Sequence, residues 1–84
     1  MRLIFSEAAW EDYLYWQRAD KKVLQRINAL IVAIQRQPHE GIGKPEPLKH
    51  ALAGYWSRRI TDEHRIVYKV EDDALFVAQL RYHY

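Results

Sequence analysis

The chain has 84 residues, no cysteine and a formal net charge of +2. That length suits one small domain, residues 1–84, with a single core, and the absence of thiols excludes disulfide staples, thiol catalysis and thiolate metal sites. No apolar run reaches membrane-spanning length, Met1 leads straight into strand-like residues rather than a signal peptide, and the expectation is a cytoplasmic protein without a membrane partner.

Met1 to Phe5 reads as a short opening strand. Ser6 is a natural N-cap, with Glu7 in the first turn, where the helix dipole favours an anion. The first helix runs to about Ala19, with Ala9, Tyr13, Leu14 and Trp16 giving it an apolar side. Trp10, Tyr13 and Trp16 are read as core aromatics. Asp20 caps a second helix, in which Val23, Leu24, Ile27, Leu30, Ile31 and Ile34 recur at helical spacing until Pro38 stops it. With no linker between them, the helices form an antiparallel hairpin.

Gln37 to Gly54 is a long punctuated segment, and long irregular segments in small domains tend to be functional. Within it, Pro47 is placed to start a short helical turn through Leu52. Three strands follow, Tyr55 to Thr61, His64 to Val70 and Ala74 to Arg81. The turns between them are short and acidic (Asp62-Glu63 and Glu71-Asp72-Asp73), so these strands are antiparallel neighbours. The architecture is βααβββ, class α+β, with a two-helix hairpin on one face of a mainly antiparallel four-stranded sheet.

Strand alternation sorts the side chains. Ile66, Tyr68 and Val70 share one face, and Arg65, Val67 and Lys69 the other. In the last strand Phe76, Ala78, Leu80 and Tyr82 share a face, opposite Gln79, Arg81 and, if the strand runs straight, His83. The apolar sets belong under the helices. Arg59, Arg65, Arg81 and His83 therefore collect on the open face, beside the long loop with Glu46 and Lys49. If Trp56 points inward, so does Arg58, which then needs a partner or a route to solvent.

Such a set can handle RNA. Guanidinium groups hold phosphate through planar, always-charged contacts. A carboxylate can remove a 2′-hydroxyl proton, an imidazole can protonate the departing 5′-oxygen, and arginine can stabilise the phosphoryl charge between them. Tyr84 can stack on an unpaired base. Neither a metal nor a cofactor is required, and the four histidines show no ligand spacing. The same residues also have ordinary readings: Glu46 as a solvated charge, the arginines paired with the turn acids, His83 and Tyr84 as a frayed end.

Gly43-Lys44-Pro45-Glu46-Pro47-Leu48-Lys49-His50, Trp56 to Thr61, Glu63 to Tyr68, and the ending Arg81-Tyr82-His83-Tyr84 together resemble the YoeB toxins, a branch of the RelE superfamily of bacterial toxin–antitoxin systems. Asp12-Tyr13 and Tyr15-Trp16 match in pattern too, and the resemblance covers essentially the whole chain. It implies a RelE-like microbial RNase fold and a ribosome-dependent endoribonuclease that cuts mRNA in the A site. Glu46 would be the general base, His83 the general acid and Arg65 the stabiliser of the transition state. Lys49, Arg59 and Tyr84 would position phosphate or base. The implied partners are a YefM-type antitoxin, the ribosome with its mRNA, operator DNA bound through the antitoxin, and a second copy in a homodimer. The alternative is a non-catalytic toxin like the ParE branch, which acts on DNA gyrase; such a binder has no chemical need for Glu46 or the His83-Tyr84 ending.

Overall fold

The computed structural model describes residues 1–83. Its elements are β1 (Arg2–Phe5), α1 (Glu7–Ala19), α2 (Lys21–Arg36), β2 (Glu46–Pro47), a 3-10 turn (His50–Leu52), β3 (Trp56–Arg59), β4 (Arg65–Glu71) and β5 (Ala74–Gln79).

Local chemistry sets the helix boundaries. Ser6 Oγ accepts the Ala9 N–H at 3.0 Å and donates to the Ala78 carbonyl at 2.8 Å, so one hydroxyl caps α1 and ties it to β5. Asp20 ends α1 and starts α2: its backbone N–H donates to Trp16 O, while Oδ1 accepts from Lys22 N and Val23 N. The shared residue forces the hairpin.

The sheet has five strands, in the order β1-β5-β4-β3-β2. This corrects the four-stranded expectation. Glu46 and Pro47 do not begin a helical turn; they pair antiparallel with Ser57 and Trp56 as an edge strand. Proline is tolerated there because the edge N–H has no ladder role. The helical turn starts later, at His50. β1 runs parallel to β5, and the other pairings are antiparallel. The β4–β5 hairpin turns through Asp72 and Asp73, both at positive φ (52° and 56°), as a tight two-residue hairpin requires.

The helices cover one face of the sheet, and Ala9, Trp16, Ile27, Leu30, Ile34, Ile66, Tyr68, Leu75, Val77 and Leu80 form a contiguous core. The alternation expected for the last strand was inverted along most of its length: Leu75 and Val77 point inward, while Phe76 packs against Lys69 on the far face. A register shift explains the difference. Tyr68 pairs with Val77 but Val67 pairs with Gln79, so Ala78 is an extra residue. Such a bulge resets the alternation and returns Leu80 to the core.

Trp10 is also corrected. Trp16 is core, but Trp10 is 50% exposed, stacked on Tyr13 at 5.9 Å and edge-on to Phe5. Arg58 is fully buried and has no route to water. Its guanidinium donates instead to the carbonyls of Gln37 (2.6 Å), Glu40 (2.9 Å) and Ile42 (3.1 Å), and its Nε to Tyr68 Oη. The Tyr68 hydroxyl donates onward to Pro38 O at 2.6 Å. One cation thus organises the chain leaving α2. No helix among the described residues is long and apolar enough to cross a membrane.

Candidate active site

The face opposite the helices carries two cross-strand rows. In the first, Glu46 pairs with Ser57, Ser57 with Val67, and Val67 with Gln79. Paired side chains share a face, so one line joins the loop that carries Glu46 to the strand that leads into the tail. Three strand spacings separate its ends, about 14 Å. Its middle is a floor: Ser57 and Val67 are only 3% and 1% exposed.

In the second row Arg59 pairs with Arg65. Arg65 is not paired with the turn acids. Its Nη1 donates to the carbonyls of Thr61 (2.7 Å), Asp62 (3.1 Å) and His64 (3.1 Å), which aims it. Arg59 is exposed, and its backbone N–H donates to Gly43 O at 2.7 Å.

That bond anchors one side of the loop bearing Glu46. The other side is held by Leu48, which is buried and whose N–H donates to Tyr55 O at 2.9 Å. Gly43 is required where it sits. Its φ is +85°, and a Cβ there would lie 2.8 Å from Leu30 Cδ2 and 3.1 Å from Arg58 Cβ. Glu46 and Lys49 are exposed and line one shallow pocket of about 510 Å³. Lys69 lies at the far end of the same face, over the rings of Tyr55 and Phe76, and its hydrogen bond to Glu71 pushes its pKa up.

The tail does not continue β5 straight. At the bulge Leu80 leaves the ladder, and α1 satisfies its peptide groups: the N–H donates to Asp12 Oδ2 (3.0 Å) and the C=O accepts from Trp16 Nε1 (2.9 Å). Arg81 then turns toward α1 rather than standing on the open face as alternation implied. Its guanidinium lies 3.6 Å above the Tyr15 ring and 4.7 Å from the Tyr82 ring. Tyr82 O accepts from Arg65 N at 3.1 Å, which ties the backbone next to His83 to the strand that carries Arg65. Gln79 Nε2 donates to the carbonyls of Arg81 (3.0 Å) and His83 (3.3 Å). His83 is exposed. Tyr84 lies outside the described residues.

Register puts Glu46, Arg59 and Arg65 on one sheet face, and Gln79 ties the backbone of His83 to the strand beside it. Lys49 lines the same shallow pocket as Glu46, and Arg81 stands apart as a brace. Sequence reasoning missed Asp12, Tyr15, His64 and Gln79 as supports of the tail. One signal was available: Asp12, Tyr15 and Trp16 lie three and four residues apart, on one side of α1.

A helical hairpin on one face of a five-stranded mixed sheet, with this basic opposite face, is the RelE-like α+β toxin fold. The chain belongs to the family of YoeB-like toxins of bacterial type II toxin–antitoxin systems, whose family model matches residues 5–84. It is 62% identical to toxin YoeB of Escherichia coli (strain K12) over 84 residues, covering all of both chains. Its fold matches a YoeB/ParE toxin from Agrobacterium tumefaciens with a TM-score of 0.98 at 51% identity, again over all of both chains. A YoeB–YefM complex from Staphylococcus aureus matches at a TM-score of 0.92 and 49% identity, covering 100% of this chain and 98% of that one; a YoeB dimer from the same organism matches at 0.93 and 50%, with the same coverage.

Proposed function

We propose that this toxin is a ribosome-dependent endoribonuclease that cleaves mRNA in the A site by attack of the 2′-hydroxyl. The observation that carries the reading is the Arg59–Arg65 pair, flanked by the loop of Glu46 on one side and the tail of His83 on the other. Glu46 takes the proton of the 2′-hydroxyl, and that oxygen attacks the adjacent phosphorus. The bond to the 5′-oxygen breaks, and His83 gives that oxygen its proton. The products are a 2′,3′-cyclic phosphate and a 5′-hydroxyl. Arg65, held by three carbonyls and free of a carboxylate among those bonds, stabilises the charge that builds on the phosphoryl oxygens. Arg59 and Lys49 position the phosphate and Tyr84 a base, while Arg81 braces the tail against Tyr15.

The modest net charge of +2 favours weak binding to free RNA, with the ribosome supplying orientation. The partners of this reading are a YefM-type antitoxin, with which the toxin represses its own operon through operator DNA, and a second copy of the chain, in the cytoplasm.

The test maps cuts on mRNA bound to translating ribosomes, beside a matched mRNA with one 2′-deoxy nucleotide in the A-site codon. The expected result is a cut in that codon, abolished by the deoxy substitution. No cut on either mRNA, with folded protein that still arrests growth, would favour a gyrase-binding toxin instead.

A further inference from the structure

We propose that His64 is a positioning residue for the tail: its Nδ1 holds the Tyr82 amide and so sets where His83 stands. The proposal rests on the endoribonuclease reading for its effect on rate, and on geometry alone for its effect on the tail.

Tyr82 N–H donates to His64 Nδ1 at 2.8 Å. A ring nitrogen that accepts carries no proton, so the imidazole proton sits on Nε2. The ring is fixed from behind, edge-on to Trp16 at 4.8 Å, and Trp16 is itself bonded to Leu80 O. The His64 backbone is fixed as well. Its N–H donates to Thr61 Oγ1 (3.1 Å), and its carbonyl accepts from Ile60 N and Thr61 N. That carbonyl also accepts from Arg65 Nη1. A single turn thereby aims the Arg65 guanidinium and grips the tail.

The grip has something to hold. Tyr82 has φ +63°, a left-handed conformation that bulky residues rarely adopt and that persists only where the surroundings over-determine it. His64 holds its N–H, Arg65 N holds its C=O, and Gln79 holds the carbonyls on either side. Of these groups, the His64 side chain is the one that bonds the Tyr82 amide directly. Without an acceptor at Nδ1, Tyr82 relaxes toward ordinary backbone angles, and the backbone that carries His83 changes course.

The experiment compares wild type with His64→Phe, which keeps a ring against Trp16 but has no acceptor, and with His64→Asn, whose Oδ1 stands near the Nδ1 position. Two quantities are read: hydrogen-exchange protection of the Tyr82 amide by NMR, with the ¹⁵N shift of His64 Nδ1, and single-turnover cleavage of ribosome-bound mRNA. The expected result is an acceptor-type Nδ1 shift in wild type. In His64→Phe, Tyr82 protection is lost and the cleavage rate falls roughly 10–100-fold at an unchanged half-saturating concentration. His64→Asn recovers much of both. A His64→Phe protein that keeps Tyr82 protected and cleaves normally overturns the proposal, as does one that loses rate while the tail stays protected. If wild type itself does not cleave, the endoribonuclease reading fails, and Tyr82 protection still decides whether His64 holds the tail.

Discussion

Arg59 and Arg65 face each other directly across the β3–β4 ladder. Like charges in that relationship repel. Arg65 cannot swing away, because three carbonyls of its own turn hold Nη1. A fold that sets two arginines opposite each other on one sheet face is primed for an anion.

Stability and activity should therefore move in opposite directions on neutralising Arg59. Arg59→Gln is expected to leave the protein equally stable or more stable by about 0.2–1 kcal/mol, while cleavage slows. Thermal unfolding and the ribosome cleavage assay, run on the same preparation, check this. Inorganic phosphate should raise the melting temperature of wild type by binding the folded state, and raise that of Arg59→Gln less. A destabilised Arg59→Gln would mean that the repulsion is already compensated.

Glu46→Ala and His83→Ala should each lower the single-turnover rate by roughly 10²–10⁴, the range for one general acid or base, without loss of fold. Arg65→Ala should also remain folded while losing transition-state stabilisation. Residues appended after Tyr84 should impair cleavage, because the tail must approach the phosphate. Normal rates for both Glu46→Ala and His83→Ala would remove the assigned roles.

Arg58 is a structural counterpart to its neighbour Arg59. It is fully buried and bonded to three carbonyls and the Tyr68 hydroxyl. Arg58→Ala leaves the buried Tyr68 hydroxyl and three part-buried carbonyls without their donor, and opens a cavity where a fully buried side chain stood. At up to about 1–3 kcal/mol for each unmet group, this is a large share of the roughly 5–15 kcal/mol that stabilises a domain. Chemical denaturation should show a mostly unfolded or barely stable protein. Arg58→Lys should recover little, because an ammonium cannot reproduce the planar fork. Gly43→Ala should destabilise too, since its Cβ would collide with Leu30 and Arg58.

Tyr68 predicts an alkaline limit. Burial pushes its phenol above the ordinary 10.0, and the Arg58 hydrogen bond and charge offset only part of that. The folded state thus favours the protonated phenol. The associated stabilisation is complete below pH 10 and is lost as pH rises through the higher folded value. Urea denaturation across that range should show stability falling above pH 10. Tyr68→Phe should be less stable at neutral pH but fall less steeply, and identical slopes would mean that other tyrosines carry the effect.

Several features of the fold are legible in the sequence. Asp20 was legible as a cap because a short acceptor stands where one apolar periodicity ends and another begins. The acidic turns were legible because strand-like residues stop abruptly at charged pairs. Arg65 and the arginine facing it followed from alternation in β4, where no bulge intervenes. β5 misled because the extra residue at Ala78 shifts its alternation, and Phe76 and Val77 are both apolar. β2 was invisible because two residues carry no periodicity, and Pro47 suggested a helix start. Trp10 looked like core on its residue type alone; its half-exposure depends on where α1 lies on the sheet.

Sequence by itself determined the helical hairpin and the run of antiparallel strands β3 to β5, because these depend on periodicity, capping and turn chemistry within a few residues. Tertiary structure alone decided which way the tail leaves β5. That direction rests on Asp12 and Trp16 meeting Leu80, Arg81 stacking on Tyr15, and His64 accepting the Tyr82 amide. These contacts join residues 18 to 68 positions apart, and no local pattern announces them. A bulged strand end releases backbone donors and acceptors, and whichever distant side chains lie within reach then set its course.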